Sequence, residues 1–187
     1  MLDLPLTSAR LRIAMMRAEH ASSLVAYRND PEVARFQDWE LPFTEEMAAR
    51  LIAEQAAVDG PTDQTWVQLA VEFEGIAIGD VAVGIHDRGR QATIGYSIMS
   101  SYQGKGCATE AVATVIDALF TEPAIHRIIA SIDPANRASQ RVLDKLGFRF
   151  EGRSLSSVFV RGEWVDDDRY ALLATDRAGR LTPNDHP

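Results

Sequence analysis

The chain has 187 residues, enough for one well-buried domain and short for two. Its 46% hydrophobic and 25% charged residues are those of an ordinary soluble globular protein, and no apolar run approaches the roughly 18 residues that span a bilayer. Nineteen Lys plus Arg against 27 Asp plus Glu give a formal charge of −8, which argues against a nucleic-acid partner and suits a cationic one. The single cysteine, Cys107, excludes an internal disulfide framework, and the four scattered histidines lack zinc-type spacing. The N-terminal segment has neither the basic region nor the apolar stretch of a signal peptide, so a cytoplasmic, metal-free chain is expected.

Residues 1–9 and 175–187 read as tails around one domain at 10–174. Over 10–16, Leu11, Ile13 and Met15 alternate with Arg10, Arg12 and Ala14, which predicts a first strand. A short helix over 19–27 stops at Asn29-Asp30-Pro31. Thr44 is a good N-cap for a helix to about residue 57, closed by Gly60-Pro61. Strand-like runs follow at 66–73, 76–85 and 93–98, joined by Glu74-Gly75 and by residues 87–90. The period then changes. Ala108, Ala111, Val112, Val115, Ile116 and Leu119 follow the spacing of a helix buried along one face. Residues 126–132 are strand-like, and Ala138, Val142, Leu143 and Leu146 form a second helical stripe that Gly147 ends. Strands at 148–160 and 163–173 turn around Arg161-Gly162. A helix between two central strands, with antiparallel hairpins on either side, makes a mixed sheet and an α/β (α+β) fold in three layers.

The run Gln103-Gly104-Lys105-Gly106-Cys107-Ala108-Thr109 follows a strand and opens an amphipathic helix. Glycines let a backbone approach a ligand, and a helix N-terminus offers unpaired N–H groups with partial positive charge, together a site for a pyrophosphate. A Walker loop does not fit, because Lys105 is followed by Gly106 with no upstream glycine at the right spacing. A dinucleotide fingerprint fails at Thr109, where its third glycine belongs. The pattern Q-x-x-G-x-A, the pyrophosphate loop of acyl-CoA-binding acetyltransferases, fits better than these or than a plain glycine-rich turn.

Further motifs accompany the loop: YRNDPEV at 27–33, IGD at 78–80, IGY at 94–96, Asn136-Arg-Ala-Ser139, LGF at 146–148 and residues 164–170. In this order and spacing the chain resembles the GNAT superfamily of acetyltransferases, and more closely its ribosomal-protein N-acetyltransferase (RimJ/RimL-like) type. The resemblance covers residues 10 to about 174. It implies a single GNAT-type domain with a mixed, mostly antiparallel central sheet of about seven strands, splayed between 93–98 and 126–132, with helices on both faces. It further implies acetyl-CoA as acyl donor, direct transfer to a primary amine in a ternary complex, and no metal. The acceptor is a protein N-terminus, an aminoglycoside or polyamine, or a small metabolite amine, and residues 36–43 have a faint likeness to aminoglycoside acetyltransferases. Neither nucleic acid nor membrane is an expected partner, and a homodimer is left open. A non-catalytic acyl-CoA-binding sensor is the alternative of another class.

By the same resemblance, backbone groups around Ile98 pair with pantetheine amides. N–H groups from Gly104 through Gly106 and Cys107 to Ala108 and Thr109 hold the pyrophosphate, flanked by Gln103 and Lys105. Asn136 and Ser139 lie beside pantetheine, with Ser139 hydrogen-bonding the departing thiolate, and Tyr170 joins it as a catalytic candidate. Tyr27, Trp39 and Asp80 shape the acceptor pocket. Each has a plainer reading: Asn136 as an N-cap, Ser139 as a surface hydroxyl, Lys105 as a solvated cation, Tyr170 as a packed strand aromatic. Some relatives carry a basic carboxylate on the strand after LGF, but residues 154–158 (SLSSV) contain no acid. Asp80, Glu151 or a water chain remain, and no base is assigned.

Overall fold

The computed structural model describes residues 2–181, with side chains described through Arg177. Two short strands, β1 (Leu6–Thr7) and β2 (Leu11–Met15), lead through a 3-10 turn into α1 (Ala21–Arg28), α2 (Pro31–Ala34) and α3 (Glu45–Gln55). Then come β3 (Trp66–Phe73), β4 (Ile76–His86) and β5 (Gln91–Ile98), followed by α4 (Cys107–Thr121), β6 (Arg127–Ile132) and α5 (Arg137–Leu146). A long hairpin, β7 (Arg149–Val160) and β8 (Glu163–Leu173), precedes α6 (Ala174–Leu181).

All eight strands form one sheet in the order β1-β2-β3-β4-β5-β6-β8-β7. Every pair is antiparallel except β5–β6, the two strands linked by the α4 crossover. The eighth strand, beyond the seven expected, lies in residues read as a tail: Leu6 pairs with Ile13 and Thr7 with Arg12. At the other end α6 occupies residues of the second expected tail, while 182–187 fall outside the described residues. No helix among the described residues is long and apolar enough to cross a membrane.

Adjacent strand residues face opposite ways, and this builds two cores. Leu69 of β3 and Val81 of β4 pair and join the larger cluster, with Ala111, Val112, Val115, Ile116 and Leu119 of α4 and Leu143 and Leu146 of α5. Each fully buried aliphatic side chain there contributes about 1.5–3 kcal/mol. Their neighbour Ala70 enters the second cluster on the other face, with Leu24 and Tyr27 of α1 and Ala48 and Ile52 of α3. Thr44 caps α3 as expected, its hydroxyl accepting from Met47 N–H, and Gly147 ends α5 at a φ of 89°.

The feature that matters for function is where pairing stops. β5 and β6 are in register from Gln91 opposite Arg127 to Ile94 opposite Ala130. Beyond that the strands part, leaving residues 95–98 without a partner on the β6 side. Met99 N–H turns toward β4 and bonds Ile78 C=O at 2.8 Å. By strand alternation the Ile98 N–H faces the other way, over the gap.

Candidate active site

A cleft runs through this gap and has two ends. The first end, a cavity of about 320 Å³, is walled by the end of β5, residues 102–104 and 106–109, one face of α5, and α2. The second, about 520 Å³, lies between residues 35–38, the diverging β5 and β6, and the β7–β8 hairpin. Arg35, Phe36, Gln37, Tyr96, Asn136 and Ser139 line both, so the two cavities meet there.

Residues 103–109 form the turn into α4. Gly104 and Gly106 have φ of 72° and 82°, a conformation that L side chains rarely adopt, and a Cβ on Gly104 would meet nothing within 4 Å. The helix ladder begins with Glu110 N–H to Gly106 C=O at 3.0 Å, so the N–H groups ahead of it have no ladder partner. The loop is anchored from behind. Arg10 donates to Lys105 C=O at 3.2 Å and through Nε to Glu110 Oε2 at 2.7 Å, while Glu110 Oε1 accepts from Ser8 Oγ at 2.7 Å and from Arg10 N–H at 2.9 Å. Partial burial opposes ionisation of Glu110, but the bonds from Ser8 and Arg10 outweigh it and hold its carboxyl below the usual range. The sequence signal was available, an acid in the first turn of α4, yet its partner lies about a hundred residues earlier.

At the junction, Asn136 caps α5, its Oδ1 accepting from Ser139 N–H at 3.1 Å. Tyr96 reaches across the gap and donates to Ser139 C=O at 3.2 Å. Burial pushes the Tyr96 phenol up to about 12, with the bond to Ser139 opposing, so it is a donor throughout the working range. The Ser139 backbone is thus held from both sides, while its half-buried hydroxyl has no partner among the described residues. Gln103 donates to Ile98 C=O at 2.9 Å, which occupies that carbonyl internally and leaves the Ile98 N–H as the strand-end group facing the gap.

The two ends differ in charge. Arg35, Arg141 and Lys145 line the first against one acid, Glu32. The second has Asp38, Asp133, Glu163, Asp166 and Asp167 against Arg35 and Arg161. Asp133 accepts from Ala135 N–H and Asp166 from Ser156 N–H, whereas half-buried Asp167 has no partner among the described residues. The hairpin supplies Glu163, Asp166 and Asp167 from β8, the last two opposite a bulge between Ser154 and Val158 of β7, whereas Asp38 follows α2 and Asp133 follows β6.

Of the residues singled out from sequence, Ile98, Gln103, Gly104, Gly106, Cys107, Ala108, Thr109, Asn136 and Ser139 line the first cavity. Lys105 does not; its ammonium sits over the Tyr102 ring, 5.3 Å from the centroid. Tyr170 lines neither cavity. It is buried on β8 and packs edge-on against Phe150 with centroids 5.4 Å apart. Tyr27, Trp39 and Asp80 also stand apart from the cleft. Tyr27 Oη donates to Asp80 Oδ2 at 2.6 Å, and Arg28 lies between the Trp39 and Phe43 rings, its Nη2 3.7 Å from the same oxygen. Burial raises the Asp80 pKa and the Arg28 charge counters it. That cluster ties α1 to the sheet, because Asp80 falls on the α1 face of β4. Glu151 pairs with Arg127 outside both cavities. Sequence reasoning missed Tyr96, Arg141, Lys145, Glu110 and the chamber acids.

Residues 10–149 match the family model described as an acetyltransferase (GNAT) domain. The chain is 30% identical over 178 residues to the uncharacterized N-acetyltransferase p20 of Bacillus licheniformis, covering 93% of this chain and 98% of that protein. It is 37% identical over 83 residues to the ribosomal protein uS5-alanine N-acetyltransferase of Escherichia coli, 44% of this chain and 43% of that one. Its fold superposes on a GNAT-family acetyltransferase from Bacillus anthracis with a TM-score of 0.80 and 26% identity, over 92% of this chain and 99% of the other.

Proposed function

The chain belongs to the acetyltransferase (GNAT) family and is an acetyl-CoA-dependent N-acetyltransferase, and from that premise we propose that it acetylates a cationic amine, the N-terminus of a basic protein first among them. The observation that carries this is the charge segregation along one continuous cleft: a cationic end for a polyanionic donor, an acidic end for the acceptor. The uS5-alanine relative supports a protein N-terminus; a polyamine meets the same charge requirement.

The fit to the donor rests on the loop. N–H groups of 104–109 hold the pyrophosphate, and Arg141 and Lys145, four residues apart on one helix face, add positive charge for phosphates. The pantetheine arm runs along the open edge of β5 as an added strand would. Bound acetyl-CoA supplies a thioester open to direct attack by an amine. Ile98 N–H donates to the thioester carbonyl as negative charge develops there. Ser139 Oγ donates to the departing sulfur, its position set by the bonds that Asn136 and Tyr96 make to its backbone. Asp167 takes a proton from the incoming ammonium, directly or through water, and the neutral amine then attacks, since an ammonium has no lone pair. The remaining chamber acids attract the acceptor and hold any second positive charge. A donor and an acceptor of this kind support a cytoplasmic site of action.

Thermal melts with acetyl-CoA, ATP and NADH test the donor end, since a native-state ligand raises stability by mass action. Acetyl-CoA stabilises most; equal stabilisation by ATP refutes the donor assignment. Free-CoA release with basic and acidic N-terminal peptides tests the acceptor end, and faster turnover of the acidic peptides refutes it.

A further inference from the structure

Arg161 stands at the tip of the β7–β8 hairpin, where Val160 faces Glu163 and the turn is Arg161-Gly162. Both turn residues have positive φ, 48° and 91°. Two-residue hairpin turns of that pattern favour Asn, Asp or Gly at the first position, because other L side chains crowd the backbone. Arginine is therefore a poor choice for the turn alone, and a residue kept in a costly conformation points to a role elsewhere. Its Nη2 donates to Ala34 C=O at 2.7 Å and to Gln37 C=O at 3.1 Å, 127 and 124 residues away in the chain. Those carbonyls lie just before and within residues 35–38, the segment that forms the opposite wall of the acceptor chamber. Just behind the turn the facing rings of Phe159 and Trp164 pack at a tilt with centroids 5.2 Å apart, which stiffens the tip that Arg161 carries.

We propose that Arg161 is a specificity-determining positioning residue: it latches the β7–β8 hairpin to the segment after α2 and so sets the size of acceptor the chamber accepts. This rests on the acetyltransferase reading above. With the latch closed, the hairpin tip and the α2 segment stand as one wall across the chamber. Without it the tip is free to swing outward, and the chamber loses its far boundary. The pyrophosphate loop is anchored separately by Arg10 and Glu110, so the donor end keeps its shape. A purely electrostatic role has the opposite sign, since removing a positive charge from an acidic chamber strengthens attraction for a cationic acceptor.

Arg161→Asn separates these roles, because asparagine suits the turn but cannot reach the two carbonyls. The melting temperature holds or rises. The acceptor KM rises about tenfold, the order expected for hydrogen bonds from a charged donor, while kcat at saturation stays within about twofold. The preference for a short acceptor over a long one of equal charge collapses, and Arg161→Lys, which keeps the charge and one reaching donor, restores part of it. Amide hydrogen exchange of residues 34–38 and 159–164, which needs no acceptor, speeds up in Arg161→Asn. Unchanged exchange and unchanged size preference overturn the latch, as does a lower KM for cationic acceptors. A wild-type protein that releases no CoA with any amine overturns the acetyltransferase reading instead, and the exchange result still decides the latch.

Discussion

Gly106→Ala isolates the conformational demand of the pyrophosphate loop. Gly106 sits at a φ of 82°, and a Cβ there would meet only Arg10 Nη2 at 3.5 Å, an ordinary contact. The substitution is therefore not a steric insult within the protein; its cost is the left-handed backbone, about 1–2 kcal/mol for an L residue. The Gly106 N–H has no backbone partner among the described residues, so the free protein can escape the strain by tilting the Lys105–Gly106 peptide at the expense of the Arg10 bond to Lys105 C=O. Acetyl-CoA then has to restore the left-handed conformation, and the strain appears in binding as an affinity weaker by about 5–30-fold. Gly89→Ala is the control. It has a φ of 78° and open space at Cβ, but it lies in the β4–β5 turn and outside both cavities. That variant loses about 2–4 °C of melting temperature per kcal/mol and binds acetyl-CoA normally. Calorimetric titration and thermal melts on the three proteins decide the matter. Wild-type affinity in Gly106→Ala, with a melting loss matching Gly89→Ala, refutes the role of the loop as a donor cradle.

Ser139→Ala lowers the single-turnover rate by about 10²-fold, the lower end for general acid catalysis, with acetyl-CoA affinity little changed; an unchanged rate removes Ser139 from the chemistry. Tyr96→Phe loses its bond to Ser139 C=O, worth about 1 kcal/mol, and lowers both melting temperature and turnover, and because the phenol titrates only near 12 the pH–rate profile keeps its shape below pH 9. Glu110 has a folded pKa below its ordinary 4.5, so its stabilisation is complete above that value and is lost as pH falls through the lower folded one. Glu110→Gln accordingly flattens the acid-side fall in melting temperature, and an unchanged acid limb contradicts the anchor. Asp167→Asn lowers turnover at neutral pH and weakens the salt dependence of the KM for a cationic acceptor; a wild-type rate leaves proton transfer to another group.

The donor end was readable because its determinants are contiguous. A strand, a glycine pair and an amphipathic helix stand in one stretch of chain, and the N-cap spacing from Asn136 to Ser139 is local too. The acceptor end was not, because strand alternation and a bulge decide which side chains reach it. Asp80 reads like any strand acid, yet its parity on β4 aims it at Tyr27 and Arg28 under α1. Asp166 and Asp167 lie in a run of three acids, and only the bulged pairing of β7 with β8 brings them to the chamber. Tyr170 was buried by the same alternation, on the face that packs against α4 and α5. Residues 1–9 read as a tail because a two-residue strand has no period to detect, although Ser8 joins Arg10 in holding the pyrophosphate loop in place.

Acyl transfer through the two-ended cleft is tested most directly by mixing the protein with acetyl-CoA and a panel of amines, and following free CoA together with the mass of each amine. The account predicts CoA release that depends on the amine, with the acetyl group recovered on nitrogen, fastest for cationic acceptors and suppressed by salt. Saturable acetyl-CoA binding with no amine-dependent release across basic peptides, polyamines and aminoglycosides would contradict it.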